Sequence, residues 1–168
     1  NRMFNTLLDI SKLDSNLAVR ERAFHLFEIV HSLEDSFSDL CAEKKIKLSF
    51  KGMNHQVHGD FHLIEQILRN LLANAIQYTD QGHIEVAFEA HSDVLSFSVK
   101  DTGCGIPEAD LPLIFTEFFR SDHSRSHYDG LGLGLAIVNR IVKKINGHCH
   151  VQSEVGQGSL FTVQTRFA

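Results

Sequence analysis

Apolar residues recur along this chain with two periods, and the points where the period changes mark its elements. Met3, Leu7, Ile10 and Leu17 fall at roughly heptad spacing, with Phe4 and Leu8 widening the face and Asp14 interrupting it. This predicts the end of a helix that packs against a partner helix, or alternatively a core helix of the same domain. A short extended piece follows around 19–23, and Leu26, Phe27, Ile29, Val30, Leu33, Phe37 and Leu40 then predict a helix over 24–43. Alternation over 46–50 reads as a strand, and Val57 sits in another short one. Asp60 is placed to N-cap a long helix carrying Leu63, Ile64, Ile67, Leu68, Leu71, Leu72, Ala75 and Ile76. Strands are predicted over 83–91 and 94–101, joined by a tight turn at Ser92-Asp93. Pro112 is expected to open a short helix running to about Phe118. Residues 121–129 carry no aliphatic side chain and read as a polar loop. A helix over 134–146 capped by Gly147, and two strands near 148–154 and 159–167, complete the chain. Helices gathered on one side of a mixed sheet make a two-layer α/β sandwich.

Composition narrows the options. The chain has 168 residues, 43% hydrophobic and 22% charged, enough for one domain with a proper core and a short appendage. A formal net charge of −5 argues against a nucleic-acid partner, which demands a basic face. Lys44, Lys45 and Lys47 form the only dense basic run and read as a solvated helix end. Three cysteines without metal-type spacing indicate a reducing compartment. No apolar run approaches the ~20 residues of a membrane span, so this segment is expected to make no membrane contact and to be cytoplasmic. It begins on Asn1 rather than methionine, which is compatible with excision from a longer parent anchored in the inner membrane.

The candidate chemistry lies in four stretches. On the long helix, Asn70, Asn74 and Gln77 share one face, opposite the apolar stripe. Amide oxygens are hard ligands suited to Mg²⁺, which completes its shell with waters and phosphates; the plainer reading is that these asparagines cap neighbouring loops. In DTGCGIP (101–107), Asp101 ends a strand, while Gly103 and Gly105 let the backbone turn beside a flat ligand. A carboxylate there can accept from an adenine amino group, and Ile106 would give the base an apolar wall; otherwise Asp101 is an ordinary strand-to-turn aspartate. The run Gly130, Leu131, Gly132, Leu133, Gly134, Leu135 immediately precedes a helix, whose free amides and dipole favour phosphate oxygens. Its glycine spacing is not that of a dinucleotide fold, and no G-K-[ST] follows for a P-loop. IFTEFFR (114–120) supplies Phe115, Phe118 and Phe119 as anchors for the polar loop. At its root stands Arg120, able to reach a terminal phosphate or simply to lie exposed on the surface. His148 and His150 share a strand face, but no third ligand accompanies them.

The order and spacing of NLLANAIQYT (70–79), DTGCGIP, IFTEFFR, GLGLGL and GQGSLF (156–161) resemble the asparagine, glycine and phenylalanine boxes of the ATP-binding catalytic domain of sensor histidine kinases, over nearly the whole chain. The resemblance implies a Bergerat-type fold over 19–168 with an ATP lid at about 119–130, and the end of a dimerisation helix at 1–18. It implies ATP and Mg²⁺ as cofactors, with Asn74 the principal metal ligand supported by Asn70. Asp101 would contact adenine, Tyr78 flank the nucleotide, and Ser159 add a hydroxyl near the base. The implied partners are the protein's own dimerisation helices and phosphoacceptor histidine, in a homodimer of the full-length protein, and a response-regulator receiver domain.

Hydrolysing relatives of that fold carry a glutamate one turn before the magnesium asparagine. Here that place is Asn70, whose amide cannot act as a general base. A phosphoacceptor histidine is expected upstream, since none of the eleven histidines lies in 1–19. Gln77 stands where many family members have lysine, and Leu131 where they have Thr or Ser, so a nucleotide-binding or scaffold module without transfer activity is the alternative to the kinase reading.

Overall fold

The computed structural model describes residues 18–121 and 130–166. The predicted dimerisation-helix stub and most of the predicted lid fall outside these residues. A 4-residue strand β1 (Arg22–His25) leads into helix α1 (Leu26–Glu43), followed by β2 (Ile46–Lys51), β3 (Gln56–Gly59) and helix α2 (Phe61–Gln77). The hairpin β4 (Gly82–His91) and β5 (Val94–Asp101) comes next, then a 3₁₀ turn Glu108–Leu113, helix α3 (Gly134–Lys144), β6 (His148–Glu154) and β7 (Gly158–Arg166).

Five strands form one mixed sheet in the order β2-β4-β5-β7-β6, in which β2 runs parallel to β4 and the other pairs are antiparallel; β1 and β3 pair as a separate ribbon. Alternation decides which sheet face is covered. Ile84, Val86, Phe88, Leu95, Phe97, Val99, Phe161 and Val163 are buried, whereas Glu89, Lys100 and Gln164 between them are exposed. Against the apolar face lie Ile29, Val30 and Leu33 of α1, Leu68, Leu71 and Leu72 of α2, and Val138 and Ile141 of α3, in one continuous core. This is the expected two-layer sandwich.

Local chemistry sets the element ends. Asp60 caps α2 as predicted: its Oδ1 accepts from Leu63 N at 3.1 Å and its Oδ2 from Arg20 N at 2.7 Å, tying the segment before β1 to the helix start. Across α1 and α2, Arg69 donates to Ser32 Oγ at 2.7 Å and Ser36 Oγ at 2.9 Å, locking the two helices in register, and within α2 it donates to Glu65 Oε1 at 3.2 Å.

The helix expected from Pro112 to Phe118 does not form. Pro112 instead sits inside the 3₁₀ turn, which begins after Pro107 with Asp110 N donating to Pro107 O at 2.9 Å. The chain beyond is pulled out of helical geometry by Phe118 N, which donates to Gly132 O at 2.9 Å; Phe118 has φ +62° and is 56% exposed. Only Phe115 and Phe119 of the three expected anchors pack on the core. Among the described residues no helix is long and apolar enough to cross a membrane.

Candidate functional site

One open cleft of about 560 Å³ runs between α2, the DTGCGIP loop, the start of α3 and the start of β7. Asn70, Asn74, Gln77, Tyr78, Asp101, Gly105, Ile106, Arg120, the whole run Gly130 to Leu135, and Ser159 all line it. Gly103 is the one sequence-predicted site residue not on its wall. The cause is steric: a Cβ at Gly103 would stand 2.3 Å from Tyr78 O, so the glycine lets the loop press against the end of α2.

At one end of the cleft Asp101 is buried at the last position of β5. Gly103 N donates to its Oδ1 at 2.9 Å and Ser159 N to the same oxygen at 3.3 Å, so both backbone bonds fall on one carboxylate oxygen. Burial pushes the Asp101 carboxyl above its usual range, with the two amide bonds opposing that shift. Ser153 Oγ donates to Gly158 O at 2.9 Å and accepts from Ile106 N at 2.8 Å. Its 2.8 Å contact with Ser159 Oγ therefore draws the hydrogen from Ser159, which leaves Ser159 presenting lone pairs. A carboxylate oxygen and a hydroxyl lone pair side by side form an acceptor pair suited to an exocyclic amino group. Behind them Thr79 Oγ1 is buried without a partner among the described residues. Cys104 also lines the cleft; burial, and then the neighbouring Asp101 charge, push its thiol upward and keep it protonated.

At the other end the α2 amides face the cleft. Asn70 Nδ2 donates to Gln66 O at 2.8 Å, one turn back, so its amide is oriented with the nitrogen on the helix. Its oxygen is left toward the α3 start, where a Cβ on Gly134 would meet Asn70 Oδ1 at 3.4 Å. Asn74 lies one turn on, half-buried on the same wall. This donor set, a fixed amide oxygen beside a second amide, fits a hard octahedral cation that takes the rest of its shell from water and phosphate. Among the described residues no group of three or more His, Cys, Asp or Glu is placed to hold a metal, so His148 and His150 remain two side chains on an exposed strand face.

The glycine run closes the floor. Within it Leu133 is the buried N-cap residue of α3 and gives no side-chain cap to the first amides, which lack an intrahelical acceptor, and Gly134 and Leu135 line the cleft there. Gly132, at φ +71°, allows the backbone to pass Phe119 O, which a Cβ would approach to 2.6 Å. Arg140 pairs with Glu117, and Ser121 Oγ with Asp110, on either side of this junction.

Sequence reasoning missed the α1 contribution. Phe37, Leu40 and Lys44 line the cleft beside Ala73 and Ile76. Lys44, read from sequence as part of a solvated helix end, is half-buried and joined to α2. Only the packing of α1 on α2 brings it there, and no local pattern encodes that contact.

The chain is similar to known proteins over most of its length. Residues 59–168 match the family described as histidine kinase-, DNA gyrase B-, and HSP90-like ATPase. The autoinducer 2 sensor kinase/phosphatase LuxQ of Vibrio vulnificus is 35% identical over 170 residues, covering 95% of this chain and 20% of that protein. The chain thus spans about a fifth of the length of such curated relatives. Among solved structures, full-length ShkA in complex with AMPPNP superposes with TM-score 0.88 at 27% identity, over 99% of this chain and 35% of that one. The catalytic domain of histidine kinase ThkA superposes with TM-score 0.75 at 26% identity, over 88% and 98%.

Proposed function

Because this chain belongs to the histidine kinase-, DNA gyrase B- and HSP90-like ATPases, we propose that its cleft binds Mg-ATP and delivers the γ-phosphoryl group to a histidine on an upstream dimerisation helix. The observation that carries the reading is the convergence of Asp101, Asn70, Asn74 and the α3 start on one cleft. Asp101 and Ser159 accept from the adenine amino group, and Ile106 and Tyr78 flank the base. The amides at the head of α3 cradle phosphate oxygens, and Arg120 steadies the terminal phosphate. Asn74, backed by Asn70, holds the cation. When bound, Mg²⁺ neutralises phosphate charge and fixes the chain of phosphates for in-line attack.

Asn70 supports transfer over hydrolysis. Its amide is neutral, and its nitrogen is engaged by Gln66 O, so it offers no base to activate water. The nucleophile is therefore an imidazole from outside this segment, with a response-regulator receiver domain downstream, in a homodimeric parent. The 26–27% identity to ShkA and ThkA supports the same reading. A longer chain that includes the upstream helix should accumulate acid-labile phosphohistidine from γ-labelled ATP and lose it in the Asn74→Ala variant. Labelled phosphate released to water, with none on protein, would overturn the transfer assignment.

A further inference from the structure

Lys44 stands on the cleft wall next to Gln77. It is the C-cap residue of α1, half-buried, and its Nζ donates to Ile76 O at 2.5 Å and to Gln77 O at 3.5 Å, at the last turn of α2. An ammonium carries three donors. Two carbonyl acceptors, one of them at the distance limit, leave it the capacity to meet an anionic oxygen. Among the described residues that line the cleft, Lys44 and Arg120 are the cations and Asp101 is the carboxylate. Asp101 is held at the base end by Gly103 N and Ser159 N. Gln77, on the same wall, is neutral.

We propose that Lys44 is a further phosphate-binding residue of this cleft, contacting the phosphate chain of a bound nucleoside triphosphate while Ile76 O and Gln77 O hold its ammonium in place. The inference rests on the nucleotide reading above. Capping the negative end of α2 and binding phosphate use the same atom. The carbonyls fix where the charge sits, so little side-chain freedom is lost when a ligand arrives. A magnesium-bound triphosphate still carries net negative charge, which an ammonium in a partly desolvated cleft offsets more effectively than one in open water.

The test compares ATP with adenosine on the 168-residue chain, because a purely structural cap would affect both ligands alike. Lys44→Met should weaken ATP binding about tenfold, the scale of one charge-assisted hydrogen bond, and leave adenosine unchanged. Lys44→Arg should keep most of the ATP affinity. Adding Gln77→Lys to Lys44→Met should restore ATP affinity without restoring the thermal stability lost with the cap. Equal losses for ATP and adenosine, no loss for either, or a double variant that recovers stability but not ATP affinity would each overturn the assignment. Asp101→Asn run alongside keeps the two readings apart. If it leaves adenosine binding intact, the adenine assignment falls, while the difference between ATP and adenosine still decides Lys44.

Discussion

Ser159 N donates to Asp101 Oδ1 at 3.3 Å, between residues that lie directly opposite one another in the β5–β7 register. The sheet itself thus aims the carboxylate. An asparagine at 101 can keep both backbone bonds through its own Oδ1, yet it would turn an NH₂ toward the adenine amino group. Asp101→Asn should therefore leave the fold intact and weaken adenosine binding roughly tenfold to a hundredfold, the cost of opposing two donors, as read by calorimetry.

The raised carboxyl of Asp101 gives this site a pH signature. Below its unfolded-state value the group is protonated in both folded and unfolded chains and contributes nothing. Above it the unfolded chain ionises first, so a penalty grows with pH and is complete once pH passes the folded value. Asp101→Asn should then raise the melting temperature near pH 7 and have no such effect in strong acid. Adenosine affinity of the unmodified chain should fall on acidification at a pH above the ordinary aspartate range, because the protonated carboxyl loses its acceptor character.

Asn74→Ala should remove the increment in ATP affinity that magnesium provides, by roughly 10–100-fold on the scale of altered metal sites. Adenosine affinity should be unchanged, since Asn74 lies at the other end of the cleft. Titrations of both ligands with and without magnesium give the comparison directly.

Gly105 and Gly156 both have positive φ but differ in surroundings. A Cβ at Gly105 would lie 2.0 Å from Glu154 O, whereas nothing lies within 4 Å of one at Gly156. Gly156→Ala should cost about 1–2 kcal/mol from backbone strain alone. Gly105→Ala should cost more, ~2–4 kcal/mol, and should also impair nucleotide binding, because Gly156 N donates to Cys104 O at 2.8 Å and the loop and turn move together. Chemical denaturation of the two variants separates strain from collision.

Much of this was legible in the sequence because the deciding signals are local. Asp60 before an apolar stripe marked the start of α2, and period-two alternation marked β4, β5 and β7. Amide, glycine and aspartate residues at fixed spacings marked most of the cleft wall. Where the outcome hung on contacts distant in sequence, local reading failed. Phe118 was expected to anchor the polar loop, but the bond from its N–H to Gly132 O turns the ring outward. Pro112 was expected to begin a helix, but the turn after Pro107 had already claimed it. Lys44 reads with its lysine neighbours as a solvated helix end because nothing in the run shows that α1 ends against the last carbonyls of α2. Gly103 has its place for steric reasons and does not touch the cleft.

The most direct measurement is a calorimetric titration of the chain with ATP, with and without magnesium, followed by assay of the mixture for free phosphate. Saturable binding that strengthens with magnesium, with negligible phosphate release, is the predicted result. An absence of binding under either condition would contradict a nucleotide cleft, and steady turnover to free phosphate would contradict a kinase that reserves its phosphoryl group for histidine.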